Sequence, residues 1–161
     1  MSSALSPRLV FVVIAVVITC LFSYALYTQY VDGLDPCPLC MSQRLFYGLT
    51  ALIAVIAAIH GRRHRLYGVL VALSSLGGAA VAGRQVWLQH LPPDLVPACG
   101  PSLEHMLRTL PFGEVLLRMI KGDGNCAVVD WTFLGLSMAG WSLLWFIALA
   151  AAGVWLALRK R

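Results

Sequence analysis

Charged side chains are scarce in this sequence. Only 12% of its 161 residues are Asp, Glu, Lys or Arg, against about 25% in ordinary soluble domains. Hydrophobic residues make up 60%, and the mean hydropathy is +0.80. One small core cannot bury so many apolar side chains. The composition therefore excludes a water-soluble enzyme, a disordered chain and a small secreted disulfide domain, and it predicts a membrane protein.

Several common motifs are also missing. The sequence has no internal repeat, no phosphate-binding glycine loop and no flavin, haem or nucleotide site. The usual protein-bound electron acceptors are therefore excluded. The net charge of +5 does not indicate a nucleic-acid partner, because the basic residues are distributed between hydrophobic segments.

Charges divide the chain into four hydrophobic segments. A helix needs about 20 apolar residues to cross a hydrocarbon core of about 30 Å, and only helices satisfy their own backbone groups there. The first segment is too long for a cleaved signal peptide and lacks a clear cleavage site, so we expect it to be retained. The sequence predicts an all-α membrane protein, a four-helix transmembrane bundle forming one domain over residues 1–161. The predicted spans are about 9–31, 40–61, 66–86 and 133–158.

The basic residues predict the orientation of this bundle. Both ends of the chain and the turn between the second and third spans carry only positive charge. These residues are Arg8, Arg62, Arg63, Arg65, Arg159, Lys160 and Arg161. All seven acidic residues lie in the other two connections, at about 32–39 and 87–132. The positive-inside rule therefore predicts that both termini are cytoplasmic and that these two loops face outward. Small residues in the third span, including Gly77 and Gly78, favour close helix packing.

Four of the five cysteines lie in the outward loops, two in each. They are Cys37, Cys40, Cys99 and Cys126. Outside a bacterial cytoplasm, disulfides form and persist. The fifth, Cys20, falls near the middle of the first span, where we expect a small packed hydrophobic side chain.

The first cysteine pair forms the motif Cys37-Pro38-Leu39-Cys40 at the start of the second span. Cys-x-x-Cys motifs and helix N-termini both lower the pKa of a thiol. Pro38 suits the first turn of a helix, so we expect the helix to extend back to these cysteines. Arg44 follows Cys40 by one helical turn and should stabilise a thiolate or another anion at the membrane edge.

The second pair lies in a longer loop. Prolines at 92, 93, 97 and 101 predict an extended segment around Cys99, and Gly122-Asp123-Gly124 predicts a turn before Cys126. Between them, residues 112–121 have the spacing of an amphipathic helix. This helix would lie either on the outer leaflet or against the bundle as a packed lid.

Three interpretations of the four cysteines remain. A tetrathiolate metal site would need a second close pair, which the spacing of Cys99 and Cys126 does not supply. Two inert structural disulfides would leave Arg44 unexplained. A relay of two exchangeable disulfides accounts for one pair on a flexible loop and the other beside an arginine, so we favour it.

These motifs occur together in a familiar order. They are Cys-Pro-Leu-Cys with Arg44, the proline-rich approach to Cys99, Gly-Asp-Gly-Asn-Cys ending at Cys126, and Trp131-x-Phe133-Leu134-Gly135-Leu136-x-Met138-x-x-Trp141. Together they resemble the DsbB family of bacterial thiol oxidases, over nearly the whole chain. The departures are Gln43, where some members carry an acid, and a shortened loop before Cys99.

The resemblance implies a multi-pass protein of the bacterial inner membrane, with its active cysteines on the periplasmic side. It implies a thiol:quinone oxidoreductase that reoxidises a DsbA-like periplasmic thiol oxidase and passes the electrons to ubiquinone or menaquinone. Disulfide formation in exported proteins would depend on it. The partner would attack a Cys99–Cys126 disulfide at Cys99. Cys126 would then exchange with Cys37, freeing Cys40 as the thiolate that meets the quinone.

By the same resemblance, Arg44 and His90 would bind the quinone, although His90 equally fits an interfacial histidine at the end of the third span. A DsbA-type dithiol has a potential of about −120 mV, so its reoxidation needs a strong acceptor, and a lipid-soluble oxidant would supply one. Two alternatives stay open. The chain could be a non-enzymatic membrane scaffold with two stapled loops. It could instead run in reverse as a quinone-reducing relative, or serve a dedicated partner other than a general DsbA.

Overall fold

The computed structural model describes residues 6–101 and 103–159 of the chain. This part contains six α-helices and one short hairpin. The elements are α1 (Pro7–Tyr30), α2 (Pro38–His60), α3 (His64–Gln89), α4 (Leu103–Thr109), α5 (Phe112–Lys121), β1 (Thr132–Phe133), β2 (Leu136–Ser137) and α6 (Met138–Leu158). Single turns of 3₁₀ helix occur at Pro93–Leu95 and Gly124–Ala127.

Four of these helices are long and apolar enough to cross a membrane: α1, α2, α3 and α6. The shortest has 21 residues, which corresponds to about 30 Å of helix. They pack side by side as a bundle, and the predicted fold class is confirmed. The other elements lie between α3 and α6 in the chain. They gather at the end of the bundle where α2 begins.

The helix starts follow from local sequence. Ser6 caps α1 by accepting a hydrogen bond from the Leu9 backbone N–H at 3.2 Å. Cys37 occupies the corresponding position before α2, and Pro38 is the first helical residue. The prediction that this helix extends back to the cysteines is therefore confirmed. Gly61, with φ of 64°, ends α2 in the left-handed conformation.

Small residues allow α3 and α6 to pack closely. A Cβ atom added to Gly153 would lie 2.7 Å from the Ala72 nitrogen, and one added to Gly68 would lie 2.7 Å from the Gly153 carbonyl oxygen. Gly78 leaves room for the ring of Phe146, which is fully buried. The small residues of the third span thus do what their pattern predicted.

The last span begins later than expected. The predicted start was 133, but residues 132–137 form a hairpin and α6 begins at Met138. The hairpin turns at Leu134 and Gly135, with φ of 51° and 79°. Two consecutive positive φ values are typical of a tight two-residue turn, which a helix cannot contain. Ser137 then caps α6 by accepting from the Gly140 N–H at 3.2 Å.

The prediction of a packed Cys20 is wrong. The buried face of α1 is formed by Phe11, Ile14 and Ile18, which repeat at helical spacing. Cys20 lies off this face and is exposed on the outside of the bundle. Its position in an apolar span fixed its depth, but only the packing of α1 on α2 decided which way it faces.

The predicted amphipathic helix is confirmed as α5. It docks on α2, where the Ser42 hydroxyl donates to the Met119 carbonyl oxygen at 2.8 Å and Val115 is buried. Phe112, Leu116 and Ile120 remain exposed on its other side. One face therefore packs against the bundle and the other presents apolar side chains outward.

Candidate active site

Three cysteines converge where α2 begins. The sulfur atoms of Cys37 and Cys40 are 3.0 Å apart. Cys126 is fully buried and its thiol is in hydrogen-bond contact with that of Cys37. All three are free thiols in the structure. Residues separated by almost ninety positions in the sequence thus form one sulfur cluster.

The position of Cys126 depends on the segment before it. Gly122 has φ of 73° and sits so close to α2 that an added Cβ atom would lie 2.6 Å from Leu39 Cδ1. Asp123 then caps the 3₁₀ turn by accepting from the Asn125 N–H at 3.1 Å. This turn places Cys126 in an apolar patch with Leu39 and Leu88. The close approach of Gly122 to Leu39, the glycine seat, therefore holds Cys126 against the start of α2.

Cys99 lies on the outer side of the same turn and is exposed. The Gly124 N–H donates to the Ala98 carbonyl oxygen at 3.3 Å, and Asn125 Nδ2 donates to the Gly100 carbonyl oxygen at 3.2 Å. A Cβ atom on Gly124 would lie 3.1 Å from the Cys99 sulfur. The proline-rich segment therefore rests on the turn that carries Cys126, with one thiol facing outward and the other inward.

Hydrogen bonding between the thiols separates their acidities. The hydrogen-bond contact between Cys37 and Cys126 raises the pKa of Cys37 and lowers the pKa of Cys126. The contact with Cys40 and burial raise the pKa of Cys37 further. The expectation of a lowered pKa in the Cys-x-x-Cys motif is therefore wrong for Cys37. Cys126 is the better thiolate of this contact, and Cys37 is the sulfur that it faces.

Two glutamines complete the cluster, and sequence analysis missed both roles. Gln85 of α3 directs its Nε2 group at the sulfurs of Cys40 and Cys37, at 3.3 and 3.4 Å. Gln43 of α2 donates from Nε2 to the Gln85 Oε1 atom at 2.7 Å. Gln85 and Gln43 are only 4% and 6% exposed. Uncharged polar residues inside apolar spans are a signal that could have found them.

A cavity of about 430 Å³ opens beside Cys40. Arg44 lines it, one turn along α2 from Cys40. Its guanidinium donates to the Ala25 carbonyl oxygen at 3.1 Å and to the side-chain oxygen of Gln29, both on α1. The arginine is thus held across α1 and α2 at the wall of the cavity.

Aromatic side chains also line the cavity. Trp131 stacks on Phe133 with ring centroids 6.1 Å apart, and Tyr24 of α1 meets Trp131 edge-on. The Trp141 indole N–H donates to the Phe133 carbonyl oxygen at 3.0 Å and fixes the hairpin on α6. The motif from Trp131 to Trp141 therefore builds one side of the cavity. The cavity suits a flat apolar ligand that carries hydrogen-bond acceptors.

The structure places the predicted site residues unequally. Cys37, Cys40 and Arg44 line the cavity, and Cys126 and Cys99 follow outward from Cys37. His90 is exposed at the end of α3, its Nδ1 in hydrogen-bond contact with the Val86 carbonyl oxygen at 2.7 Å, and the cavity is lined by its neighbour Gln89 instead. Within residues 6–101 and 103–159, no group of three or more His, Cys, Asp and Glu side chains is arranged to hold a metal ion.

Comparison with known proteins gives one consistent set of relatives. The family model described as "Disulfide bond formation protein DsbB" matches residues 7–156. A protein of Hahella chejuensis named "Disulfide bond formation protein B" is 48% identical, covering 96% of this chain and 94% of its own. One of that name from Marinobacter nauticus is 45% identical, covering 97% and 95%. "Disulfide bond formation protein B 1" of Pseudomonas aeruginosa is 47% identical, covering 89% and 90%. The chain therefore belongs to the DsbB family.

Proposed function

We propose that this protein is a membrane thiol:quinone oxidoreductase that reoxidises a DsbA-like dithiol oxidase. The observation that carries the proposal is the order of the sulfurs. Exposed Cys99 lies on the turn that carries Cys126, Cys126 contacts Cys37, and Cys40 faces the cavity. Membership of a family of disulfide bond formation proteins supports the general activity.

The membrane orientation is part of the proposal. The end of the bundle that carries the cysteines would face the periplasm, and the Arg62–Arg65 turn would face the cytoplasm of a bacterial inner membrane. The support is the positive-inside distribution of the basic residues together with four helices that can span a membrane. The DsbA-like partner would then meet Cys99 from the compartment in which disulfides persist.

In the first step, a thiolate of the reduced partner attacks Cys99 in a Cys99–Cys126 disulfide. The new bond joins the partner to Cys99, and the old bond breaks so that Cys126 leaves as a thiolate. Cys99 is the accessible sulfur of the two, since it is exposed while Cys126 is buried. Cys126 leaves beside Cys37, the sulfur that it attacks next.

In the second step, the Cys126 thiolate attacks Cys37 in a Cys37–Cys40 disulfide. Cys126 becomes bonded to Cys37, and Cys40 leaves as a thiolate at the wall of the cavity. Cys126 contacts Cys37, so the attacking and receiving sulfurs are already neighbours. Because the two sulfurs are held in contact, their reaction needs no large movement of the loop.

The remaining exchanges restore the outer disulfide. The partner's second thiolate attacks the partner sulfur that is bonded to Cys99. This step releases the oxidised partner and leaves Cys99 as a thiolate. Cys99 then attacks Cys126 in the Cys126–Cys37 bond and re-forms Cys99–Cys126. The net result is one disulfide in the partner and two thiols at Cys37 and Cys40, a transfer of two electrons and two protons.

The cavity fits the final acceptor. Its volume of about 430 Å³ lies within the usual range for small ligands, about 300–1,000 Å³. The aromatic wall suits a ring, and Arg44 offers a fixed cationic donor for a carbonyl oxygen. A quinone bound here would accept two electrons and two protons and allow the Cys37–Cys40 disulfide to re-form. His90 has no comparable position at this cavity.

A single assay tests the function. Purified protein is mixed with a reduced DsbA-like partner and a water-soluble short-chain quinone, and the absorbance of the quinone is followed. We expect a steady loss that depends on both reactants and stops in Cys40→Ala. Cys20→Ala is the matched control and should turn over normally, because Cys20 lies on the outside of the bundle. A quinone absorbance that stays constant with the wild-type protein would favour the stapled scaffold.

A further inference from the structure

A pair of buried glutamine amides lies against the sulfur cluster, between α2 and α3. Gln43 and Gln85 come from different helices and are each more than nine-tenths buried. A buried amide without partners is costly, so such a pair is retained where both ends are satisfied. Here the Gln85 NH₂ group contacts two sulfur atoms.

We propose that the Gln43–Gln85 pair stabilises the thiolate that forms on Cys40 when the Cys37–Cys40 disulfide is reduced. Gln85 touches the reacting sulfurs, and Gln43 is a positioning residue that fixes the orientation of the Gln85 amide. The proposal deepens the thiol oxidase function and rests on it for the reaction served.

The orientation follows from donor and acceptor chemistry. An amide has an acceptor oxygen at one side and an NH₂ donor at the other. Gln43 Nε2 donates to Gln85 Oε1 at 2.7 Å, which is closer than the Cys40 thiol that also contacts this oxygen at 3.6 Å. The Gln85 NH₂ group then faces Cys40 at 3.3 Å and Cys37 at 3.4 Å. A thiolate accepts such hydrogen bonds more strongly than a thiol does, because the acceptor is ionised.

Arg44 does not replace this donor. Its guanidinium hydrogen bonds go to Ala25, Gln29 and Met41 rather than to either cysteine. Among the described residues, the side-chain N–H groups that hydrogen bond the Cys40 sulfur come from Gln85. Both Arg44 and Gln85 line the cavity, but only Gln85 of these two donates hydrogen bonds to the sulfurs.

The expected consequence is a more oxidising Cys37–Cys40 pair. Stabilising a thiolate stabilises the reduced state, which raises the potential of the disulfide. It also makes Cys40 a better leaving group when Cys126 attacks Cys37, because a more stable thiolate leaves faster. Both effects favour electron transfer from the outer Cys99–Cys126 pair to the Cys37–Cys40 pair.

Substitution of Gln43 separates orientation from simple packing. In Gln43→Glu, the ionised carboxylate accepts hydrogen bonds but donates none. The Gln85 amide would have to turn its NH₂ group toward residue 43, and its oxygen would then face the sulfurs. Gln43→Glu should therefore disfavour the Cys40 thiolate although the side chain keeps nearly the same shape.

The test uses the full-length reduced protein in detergent, without partner or quinone. An uncharged alkylating reagent is added across a pH series, and mass spectrometry reports the rate at Cys40. We expect Gln85→Leu to move the midpoint of this profile upward by about one pH unit and to slow alkylation below it about tenfold, the loss of one charge-assisted hydrogen bond. Gln43→Glu should shift the profile in the same direction. Ser74→Ala is the matched control, because Ser74 is also buried on α3 but bonds Thr50.

A second readout is the equilibrium of Cys37–Cys40 with a glutathione buffer, which Gln85→Leu should move about tenfold toward the disulfide. An unchanged alkylation profile in Gln85→Leu would overturn the proposal. If that variant does not fold, an unchanged profile in Gln43→Glu overturns it equally. A shifted profile in a protein that never reduces quinone would instead overturn the proposed function and leave the amide pair standing.

Discussion

Cys126 is fully buried and its thiol is in hydrogen-bond contact with that of Cys37, a residue 89 positions earlier in the chain. This contact joins the outer loop to the start of α2. In the reduced protein it lowers the pKa of Cys126 and raises that of Cys37, so the thiolate forms on Cys126. The two sulfurs that exchange between the loops are therefore already neighbours.

The order of exchange can be trapped. A DsbA-like partner that keeps only its attacking cysteine cannot complete its own release. Mixed with the oxidised wild-type protein, it should become bonded to Cys99, and Cys126 should be found bonded to Cys37. Peptide mapping under non-reducing conditions identifies both bonds. Cys20→Ala should give the same map, whereas a partner bonded to Cys37 or Cys40 would refute the proposed order.

The acidity of Cys126 depends on Cys37. Because a lowered pKa gives more thiolate at a given pH, Cys126 should be alkylated at a lower pH than Cys37 in the reduced protein. Cys37→Ala removes the hydrogen-bond contact that lowers the pKa of Cys126 and should move the Cys126 profile upward. Site-resolved alkylation across a pH series measures both profiles. A Cys126 profile that is identical in wild type and Cys37→Ala would show that this contact does not set its acidity.

The glycine seat before Cys126 can be closed. Gly122→Ala places a Cβ atom 2.6 Å from Leu39 Cδ1 at a φ of 73°. A φ of 73° with a ψ of 168° is a conformation almost restricted to glycine, which costs alanine about 1–3 kcal/mol, and the contact adds to this cost. We expect Cys126 to move away from Cys37 and single-turnover exchange between the two disulfides to slow about tenfold.

Gly113→Ala is the control for this substitution, because Gly113 lies in α5 with open space around it. It should leave exchange unchanged and slightly favour the helix. Equal exchange rates in Gly122→Ala and wild type would show that Cys126 reaches Cys37 without the contact at Gly122.

Arg44 should act on quinone and not on thiol exchange. Arg44→Ala should raise the KM for quinone about tenfold, the loss of a charge-assisted hydrogen bond, and lower kcat as well. Arg44→Lys should recover part of the loss, since the charge returns without the planar fork. Steady-state quinone titrations measure this, and single-turnover exchange with the partner should stay at the wild-type rate.

Arg65→Ala, at the opposite end of the bundle, is the control for Arg44 and should leave both rates unchanged. Unaltered quinone kinetics in Arg44→Ala would remove this residue from the proposed site. Its bonds to Ala25 and Gln29 would then serve only to join α1 to α2.

The sequence by itself determined the fold class, the number of spans and the start of α2. These follow from one-dimensional patterns: length of apolar runs, positions of charges, and a proline one residue after Cys37. It also singled out the cysteines, because redox chemistry limits the residue types that can perform it. It misplaced the start of α6, since a short hairpin with apolar residues has the same composition as the end of a span.

Only the tertiary structure decided which groups meet. The contact of Cys126 with Cys37, the glycine seat at Gly122 and the Gln43–Gln85 pair all join residues far apart in the chain, and no local pattern specifies such contacts. Cys20 shows the same limit, because the depth of a residue along a helix follows from sequence while the direction it faces follows from packing. The cavity beside Cys40 exists only because α1, the hairpin and α6 enclose it, since its walls come from segments that the sequence keeps separate.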